Sequence, residues 1–139
     1  MAEKPAFVLD TFAFLAYLRD EPAAPRVQKL LMDAEKSKCI LFISLINLGE
    51  ILYSTERRGG ISKVQDTLAL VQRLPIEVLP VDEQTVFAAA HIKANHTISY
   101  ADSFVVAIGI EENAMVITAD PEFHSVEQIV EVEWLQAAD

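Results

Sequence analysis

Residues 6–18 read Ala6-Phe-Val-Leu-Asp10-Thr11-Phe-Ala-Phe-Leu-Ala-Tyr-Leu18, an apolar stretch divided by a single acid. Residues 7–9 are predicted to form a short buried strand. Thr11–Leu18 is predicted to form a helix that starts directly after Asp10. A strand followed at once by a helix is the repeating unit of α/β folds. The carboxylate therefore stands where a strand gives way to a helix.

The same alternation continues to the end of the chain. Strands without polar alternation indicate a sheet covered on both faces. We predict one α/β domain spanning residues 1–139, with a mostly parallel central sheet of four to five strands flanked by helices. Residues 104–108 could also form a strand, because Val and Ile favour strands. The further predicted strands are 39–43, Glu77–Leu79, Met115–Thr118 and 129–132; the helices are 26–37, 45–57, 61–74, 83–94 and 100–112, with a turn or short helix at 121–124.

Composition limits the class of protein. The 139 residues are 52% hydrophobic, which excludes disorder. No apolar run approaches the roughly 20 residues of a membrane span, and the first residues lack the pattern of a signal peptide. The single Cys39 lies in an apolar run and is expected to be a buried, reduced thiol. We therefore expect a cytoplasmic protein with no membrane association.

The net charge of −10 argues against nucleic acid as a partner, since such binding draws on Lys and Arg. The densest basic cluster is Arg57, Arg58 and Lys63 around Gly59-Gly60. That cluster is equally well interpreted as a solvated helix end with a glycine cap. Acidity of this degree also suits a basic protein partner.

Four acids stand where apolar segments stop or helices begin: Asp10, Glu50, Asp102 and Asp120. Three have ordinary explanations, since Asp10 could cap a helix, Asp102 could complete a capping box with Ser99, and Asp120 could open a turn before Pro121. Glu50 lies inside a predicted helix, where capping does not apply. The functional interpretation depends on the four acids as a set.

Ligands of parallel sheets bind beyond the carboxyl ends of the strands, where strand order reverses. If the acids converge there, each pair repels by roughly 3 kcal/mol at about 5 Å, and a cation is needed. Oxygen ligands favour Mg²⁺ or Mn²⁺, while His91, His96 and His124 show no metal-ligand spacing. Such an ion suits hydrolysis of a phosphodiester, because it activates water and neutralises developing charge.

Four segments together resemble the PIN-domain ribonucleases, in particular the VapC-type toxins of prokaryotic toxin–antitoxin pairs. Their order and spacing hold across essentially the whole chain. Each segment alone is a weak signal, and the four together are specific. The segments are Val8-Leu-Asp-Thr-Phe-Ala-Phe-Leu, Asn47-Leu-Gly-Glu-Ile-Leu-Tyr, Ser99-Tyr-Ala-Asp-Ser-Phe and Ile117-Thr-Ala-Asp-Pro-Glu-Phe.

The resemblance implies a three-layer PIN-like fold and a Mg²⁺- or Mn²⁺-dependent endoribonuclease that cuts RNA. Asp10, Glu50, Asp102 and Asp120 would be the catalytic quartet. Asp10, Asp102 and Asp120 would bind the metal, and Thr118 and Thr11 would support the site. The family also implies a homodimer, and a cognate antitoxin that inserts a basic residue into the cleft. Many relatives have Gly where this chain has Ala119, so the backbone there must avoid positive φ.

Other classes fit less well. A phosphorylated receiver module should have paired acids after the first strand and a Lys after the last, and a haloacid-dehalogenase-like phosphatase needs Asp-x-Asp. Thr11 and Phe12 follow Asp10 instead, and residues 129–133 contain no Lys. A catalytically inactive scaffold or partner-binding domain stays open as the alternative to the enzyme.

Overall fold

The computed structural model describes residues 3–136, which form an α/β fold around a five-stranded parallel sheet. A short 3₁₀ helix (Pro121–Val126) joins the last two strands. The strands are β1 (Ala6–Leu9), β2 (Ile40–Ser44), β3 (Glu77–Leu79), β4 (Met115–Thr118) and β5 (Val132–Trp134), and the helices are α1 (Thr11–Leu18), α2 (Ala24–Glu35), α3 (Leu45–Gly59), α4 (Ile61–Arg73), α5 (Glu83–Asn95) and α6 (Tyr100–Glu111).

The strand order is β3-β2-β1-β4-β5, with β1 in the centre. In register, Leu9 of β1 lies between Ile43 of β2 and Ile117 of β4. The chain builds the sheet outward from β1 to β3 and then returns to the other side of β1. Strand order therefore reverses between β1 and β4, and their carboxyl ends are adjacent.

Helices cover both faces of the sheet, so the fold has three layers. Successive strand residues point to opposite faces, and β1 illustrates this. Leu9 packs in the core shared with α1, α2 and α3, whereas Val8 packs in the core shared with α5 and α6. The predicted parallel sheet with helices on either side is confirmed.

Helix α6 is the most deeply buried helix, and it is apolar on every side after its first turn. A Cβ added to Gly109 would lie 2.6 Å from Cγ2 of Val130, so glycine permits the close approach of α6 to the chain's last segment. The alternative of a strand at 104–108 is wrong, because burial on all sides explains the Val and Ile residues there without a sheet.

The last strand was placed wrongly, at 129–132 instead of Val132–Trp134. The amides of Ile129 and Val130 both donate to the carbonyl of Val126, so these residues turn back on the 3₁₀ helix. Their apolar character reflects the packing of Val130 in the core beside α6. The ladder starts only where Val132 pairs with Val116.

Cys39 precedes β2 instead of lying within it, and the burial of its side chain confirms that part of the sequence expectation. Its sulfur lies 3.5 Å from the carbonyl oxygen of Leu30. Across residues 3–136, none of the helices combines the length and the apolar composition that a membrane crossing requires.

Candidate functional site

Two of the four acids follow the neighbouring strands β1 and β4. Asp10 comes directly after β1, and Asp120 follows β4 by two residues. Because these strands are paired and parallel, both carboxylates lie at the edge of the sheet where strand order reverses. That edge is where ligands bind in open parallel sheets.

Asp10 is only 2% exposed, and its two oxygens have different partners. Oδ1 accepts a hydrogen bond of 2.8 Å from the amide of Ala13, so Asp10 caps α1. Oδ2 accepts a hydrogen bond from the hydroxyl of Thr118. Burial raises the pKa of Asp10 to about 7, although these two hydrogen bonds act to lower it. The negative charges of Asp120 and Glu50 also act to raise this pKa.

Thr118 links the two strand ends. Its hydroxyl donates to Asp10, and its Oγ1 accepts a hydrogen bond of 2.9 Å from the amide of Asp120. The intervening Ala119 is not among the residues with positive φ in the described part of the chain, as its side chain requires. Thr118 is thus in contact with Asp10, as expected of a residue that supports the site.

Asp102 reaches the same place from the first turn of α6. Its amide donates to Oγ of Ser99 at 3.2 Å, which confirms Ser99 as the helix cap. Burial raises the pKa of the Asp102 carboxyl to about 8, with further contributions from contact with the Glu122 carboxylate and from the charge of Asp10. A carboxylate oxygen of Asp102 lies within 4.8 Å of oxygens of Asp120 and Glu122, and Asp120 is linked to Asp10 through Thr118.

Glu50 approaches from α3 and is half-buried. Its Oε1 accepts a hydrogen bond of 2.8 Å from the hydroxyl of Thr11. Asn47, one turn earlier on α3, donates from Nδ2 to Thr11 Oγ1 at 3.0 Å and to Glu50 Oε1 at 3.4 Å. Asn47 is fully buried, and its Oδ1 has no hydrogen-bond partner among the described residues. Thr11 and Asn47 therefore fix Glu50 next to Thr11, the residue that follows Asp10, although Glu50 is not among the acids whose oxygens lie within 4.8 Å of one another.

Two residues of the site were missed by reasoning from the sequence. Carboxylate oxygens of Asp102, Asp120 and Glu122 lie within 4.8 Å of one another, and Glu122 was not predicted. The amide of Glu122 donates to Oδ1 of Asp120 at 3.0 Å, so the turn that Pro121 starts brings the second acid back toward the first. The sequence signal for Glu122 is the segment Asp120-Pro-Glu122, in which a turn-forming proline separates two acids. Asn47 opens the segment of residues 47–53, and nothing in the sequence alone assigns it a role.

The donor set of this acidic site fits a divalent cation bound by oxygen. No Lys, Arg or His of residues 3–136 forms an ion pair with Asp10, Glu50, Asp102 or Asp120. Two carboxyls, Asp10 and Asp102, have pKa values raised by burial and by neighbouring acids, and a cation would supply the countercharge they lack. Mg²⁺ and Mn²⁺ prefer oxygen ligands, whereas zinc prefers nitrogen and sulfur.

Comparison with known proteins identifies relatives of this arrangement. The sequence model of the PIN domain matches residues 7–129. No curated protein sequence matches the chain.

Solved structures of low sequence identity share the fold. VapBC2 from Rickettsia felis, bound to a DNA fragment from its promoter, is 18% identical with a TM-score of 0.72, covering 94% of this chain and 99% of that one. VapBC-1 from nontypeable Haemophilus influenzae is 20% identical with a TM-score of 0.69, and the match covers 93% of this chain and 97% of that one. The toxin VapC20 of Mycobacterium tuberculosis, which cleaves the sarcin–ricin loop, is 18% identical with a TM-score of 0.69. The match covers 86% of this chain and 94% of that one.

Proposed function

This chain belongs to the PIN-domain family, and from that premise we propose that it is a Mg²⁺- or Mn²⁺-dependent endoribonuclease. One observation supports the proposal: carboxylate oxygens of Asp102, Asp120 and Glu122 lie within 4.8 Å of one another at the reversal point of the sheet, where Thr118 links Asp10 to Asp120. No Lys, Arg or His of residues 3–136 is ion-paired with these acids. Such a cluster suits a reaction in which a metal ion and a phosphodiester supply the missing charges.

Asp102, Asp120 and Glu122 are the residues best placed to hold the ion, because their oxygens already lie within 4.8 Å of one another. Asp10 lies beside them and can join through the oxygen that Thr118 now occupies. A bound divalent ion would activate water and offset charge that builds on the phosphate in the transition state.

Glu50 is the residue best placed to orient the attacking water. Thr11 and Asn47 hold its Oε1, which leaves Oε2 free for a further hydrogen bond among the contacts of the described residues. A carboxylate near the attacking water can also take its proton.

The biological setting we propose is a toxin–antitoxin module. Structures that share the fold include a toxin–antitoxin complex from Klebsiella pneumoniae and a member of the VapBC family of toxin–antitoxin systems from Mycobacterium tuberculosis. The acidic cleft suits a basic side chain from a cognate antitoxin, which would compete with the metal and the RNA. A cytoplasmic homodimer, folded as one domain over residues 1–139, completes the proposal.

The test is cleavage of a panel of single-stranded and structured RNAs, ribosomal stem-loops included. Wild-type protein with Mn²⁺ should cut RNA, and both chelation and Asp10→Asn should reduce the rate by at least about 100-fold, since each removes charge stabilisation from the site. Glu35→Gln, an exposed acid on α2, is the control and should cut like wild type.

Failure has a specific meaning. If the folded wild-type protein binds Mn²⁺ and cuts no RNA of the panel, the inactive partner-binding scaffold replaces the enzyme. If Asp10→Asn cuts as fast as wild type, the quartet is not the catalytic site.

A further inference from the structure

A second charged feature lies beside the acidic site, at the C-terminal ends of α1 and α3. Arg19 ends α1, and Arg57 and Arg58 lie in the last turn of α3. Together with Tyr53 and Ser54 they line a shallow depression of about 300 Å³. We call the surface formed by Arg19, Tyr53, Arg57 and Arg58 the basic patch.

The cations of the basic patch are held in place without a countercharge. Within residues 3–136, no carboxylate lies within ion-pair distance of the three arginines, whereas Arg26 and Lys29 are paired with acids. Arg19 Nη2 donates to Ser54 Oγ at 3.0 Å, and the Arg57 guanidinium lies over the Tyr53 ring at 4.9 Å. In a chain of net charge −10, three arginines gathered on one surface are an anomaly.

Helix dipoles explain only part of this clustering of arginines. Cations are favoured in the last turn of a helix, which accounts for Arg57 and Arg58 individually. The dipole of α1 likewise favours Arg19 at its C-terminal end, but helix dipoles do not account for the gathering of three arginines around one depression with a tyrosine that is 51% exposed. An arginine stacked on an exposed aromatic ring is a surface suited to nucleic-acid bases and phosphates.

The basic patch and the acidic site share the same two helices. Thr11 contacts Glu50 at one end of the α1–α3 pair, and Arg19 contacts Ser54 at the other. Glu50, Tyr53 and Arg57 are spaced by three and four residues and thus lie on one face of α3. The rise from Glu50 to Arg57 is about 10 Å, a distance that one nucleic-acid strand can span.

We propose that the basic patch binds the RNA strand next to the phosphodiester that is cut, and this rests on the proposed function. The arginines would contact phosphates, and Tyr53 would stack on a base. Both contacts tolerate any sequence, since phosphates and ring faces carry little sequence information. The patch would thus supply affinity that the acidic site cannot, because four carboxylates repel a polyanion.

The experiment measures binding separately from cleavage. The catalytically impaired Asp10→Asn protein is titrated with a fluorescent single-stranded RNA of about 20 nucleotides at several salt concentrations, with Mn²⁺ present. Arg57→Ala and Tyr53→Ala are added to that background. Arg73→Ala, an exposed arginine at the end of α4 outside the patch, is the matched control.

Arg57→Ala should weaken binding about tenfold and lower the slope of log K against log salt by about 0.7, the value for one phosphate contact on a single strand. Tyr53→Ala should weaken RNA binding about tenfold and leave the salt slope unchanged. Tyr53→Phe, which keeps the aromatic ring, should bind RNA as tightly as the parent. Arg73→Ala should match the parent. In the cleaving protein, Arg57→Ala should raise KM for this RNA and leave kcat near the wild-type value.

The outcomes separate the two proposals. RNA that is bound through the patch but never cut keeps the patch as an RNA-binding surface and overturns the ribonuclease, and with it the placement of the patch beside a cleaved bond. RNA that is cut with wild-type KM and salt slope by the Arg57 and Tyr53 variants overturns this inference and leaves the ribonuclease standing. Competition by polyglutamate as effective as that by polyuridylate would assign the patch to an acidic protein instead.

Discussion

Asp10 uses its two carboxylate oxygens for different purposes. Oδ1 caps α1 through the amide of Ala13, and Oδ2 contacts Thr118 at the acidic site. A helix cap and a functional carboxylate are therefore compatible interpretations of one residue. The cap fixes the side chain in a single orientation, and this holds its second oxygen in the cleft.

Asn47 is the residue whose role can be tested most sharply. Removing its side chain by Asn47→Ala takes away the hydrogen bonds to Thr11 and Glu50, and we expect RNA cleavage to fall about tenfold. Glu50→Ala should lower the rate of RNA cleavage by at least the same factor. In a double-mutant cycle the two losses should not add, because Asn47 acts through Glu50.

The control for Asn47→Ala is Asn95→Ala, an exposed residue that bonds to His91 within α5. It should cleave RNA at the wild-type rate. Fully additive losses at Asn47 and Glu50, measured as cleavage rates with saturating RNA, would mean that Asn47 does not position Glu50.

At the level of elements, the start of α6 determines the position of Asp102. Ser99 caps this helix just as Asp82 caps α5. Ser99→Ala and Asp82→Ala should each lower the free energy of unfolding by about 1 kcal/mol, measured by urea denaturation. Only Ser99→Ala should also weaken Mn²⁺ binding in calorimetry, because only α6 carries an acid of the site. Equal Mn²⁺ affinities in the two variants would contradict this.

Most elements follow from local signals that the sequence displays. The bounds of α1, β3 and β4 agree with the predictions, and Ser99 caps its helix as expected. These cases depend on caps, prolines and short apolar runs, which act over a few residues. Strand order is not local: the sequence places Asp10 and Asp120 after strands but leaves open whether those strands are neighbours, and the pairing of β1 with β4 comes from the structure.

The parts that were missed depend on tertiary contacts. Ile129 and Val130 have the composition of a strand, but Val130 packs against α6 and the ladder begins at Val132. Glu122 joins the site because Pro121 turns the chain back, and a charged residue after a turn is ordinarily solvated. The role of Asn47 depends on partners in α1, 36 residues away.

For the whole molecule, the buried acids make stability depend on pH and metal. The pKa values of Asp10 and Asp102, about 7 and about 8, exceed their ordinary value of 3.8. A group whose pKa is raised by folding stabilises the folded state fully below its unfolded pKa, and this stability is lost as pH rises through the folded pKa. Without metal, stability should therefore fall between about pH 4 and pH 8.

The measurement is the melting temperature in chelator. We expect it to be about 5 °C or more lower at about pH 8.5 than at about pH 5.5, with each kcal/mol worth about 4 °C in a domain of this size. The double variant Asp10→Asn, Asp102→Asn should flatten this dependence. Millimolar Mg²⁺ should restore the melting temperature at the higher pH, since it binds the folded state. A melting temperature that rises with pH in chelator would contradict the account.

The central claim, that distant carboxylates share one divalent ion, is tested most directly by anomalous scattering from a crystal soaked in Mn²⁺. The account predicts a peak at about 2.1 Å from carboxylate oxygens of Asp102 and Asp120. Glu122 and Asp10 should lie in direct or water-mediated contact with the same ion. A map with these side chains turned apart and no peak between them, at saturating Mn²⁺, would contradict it.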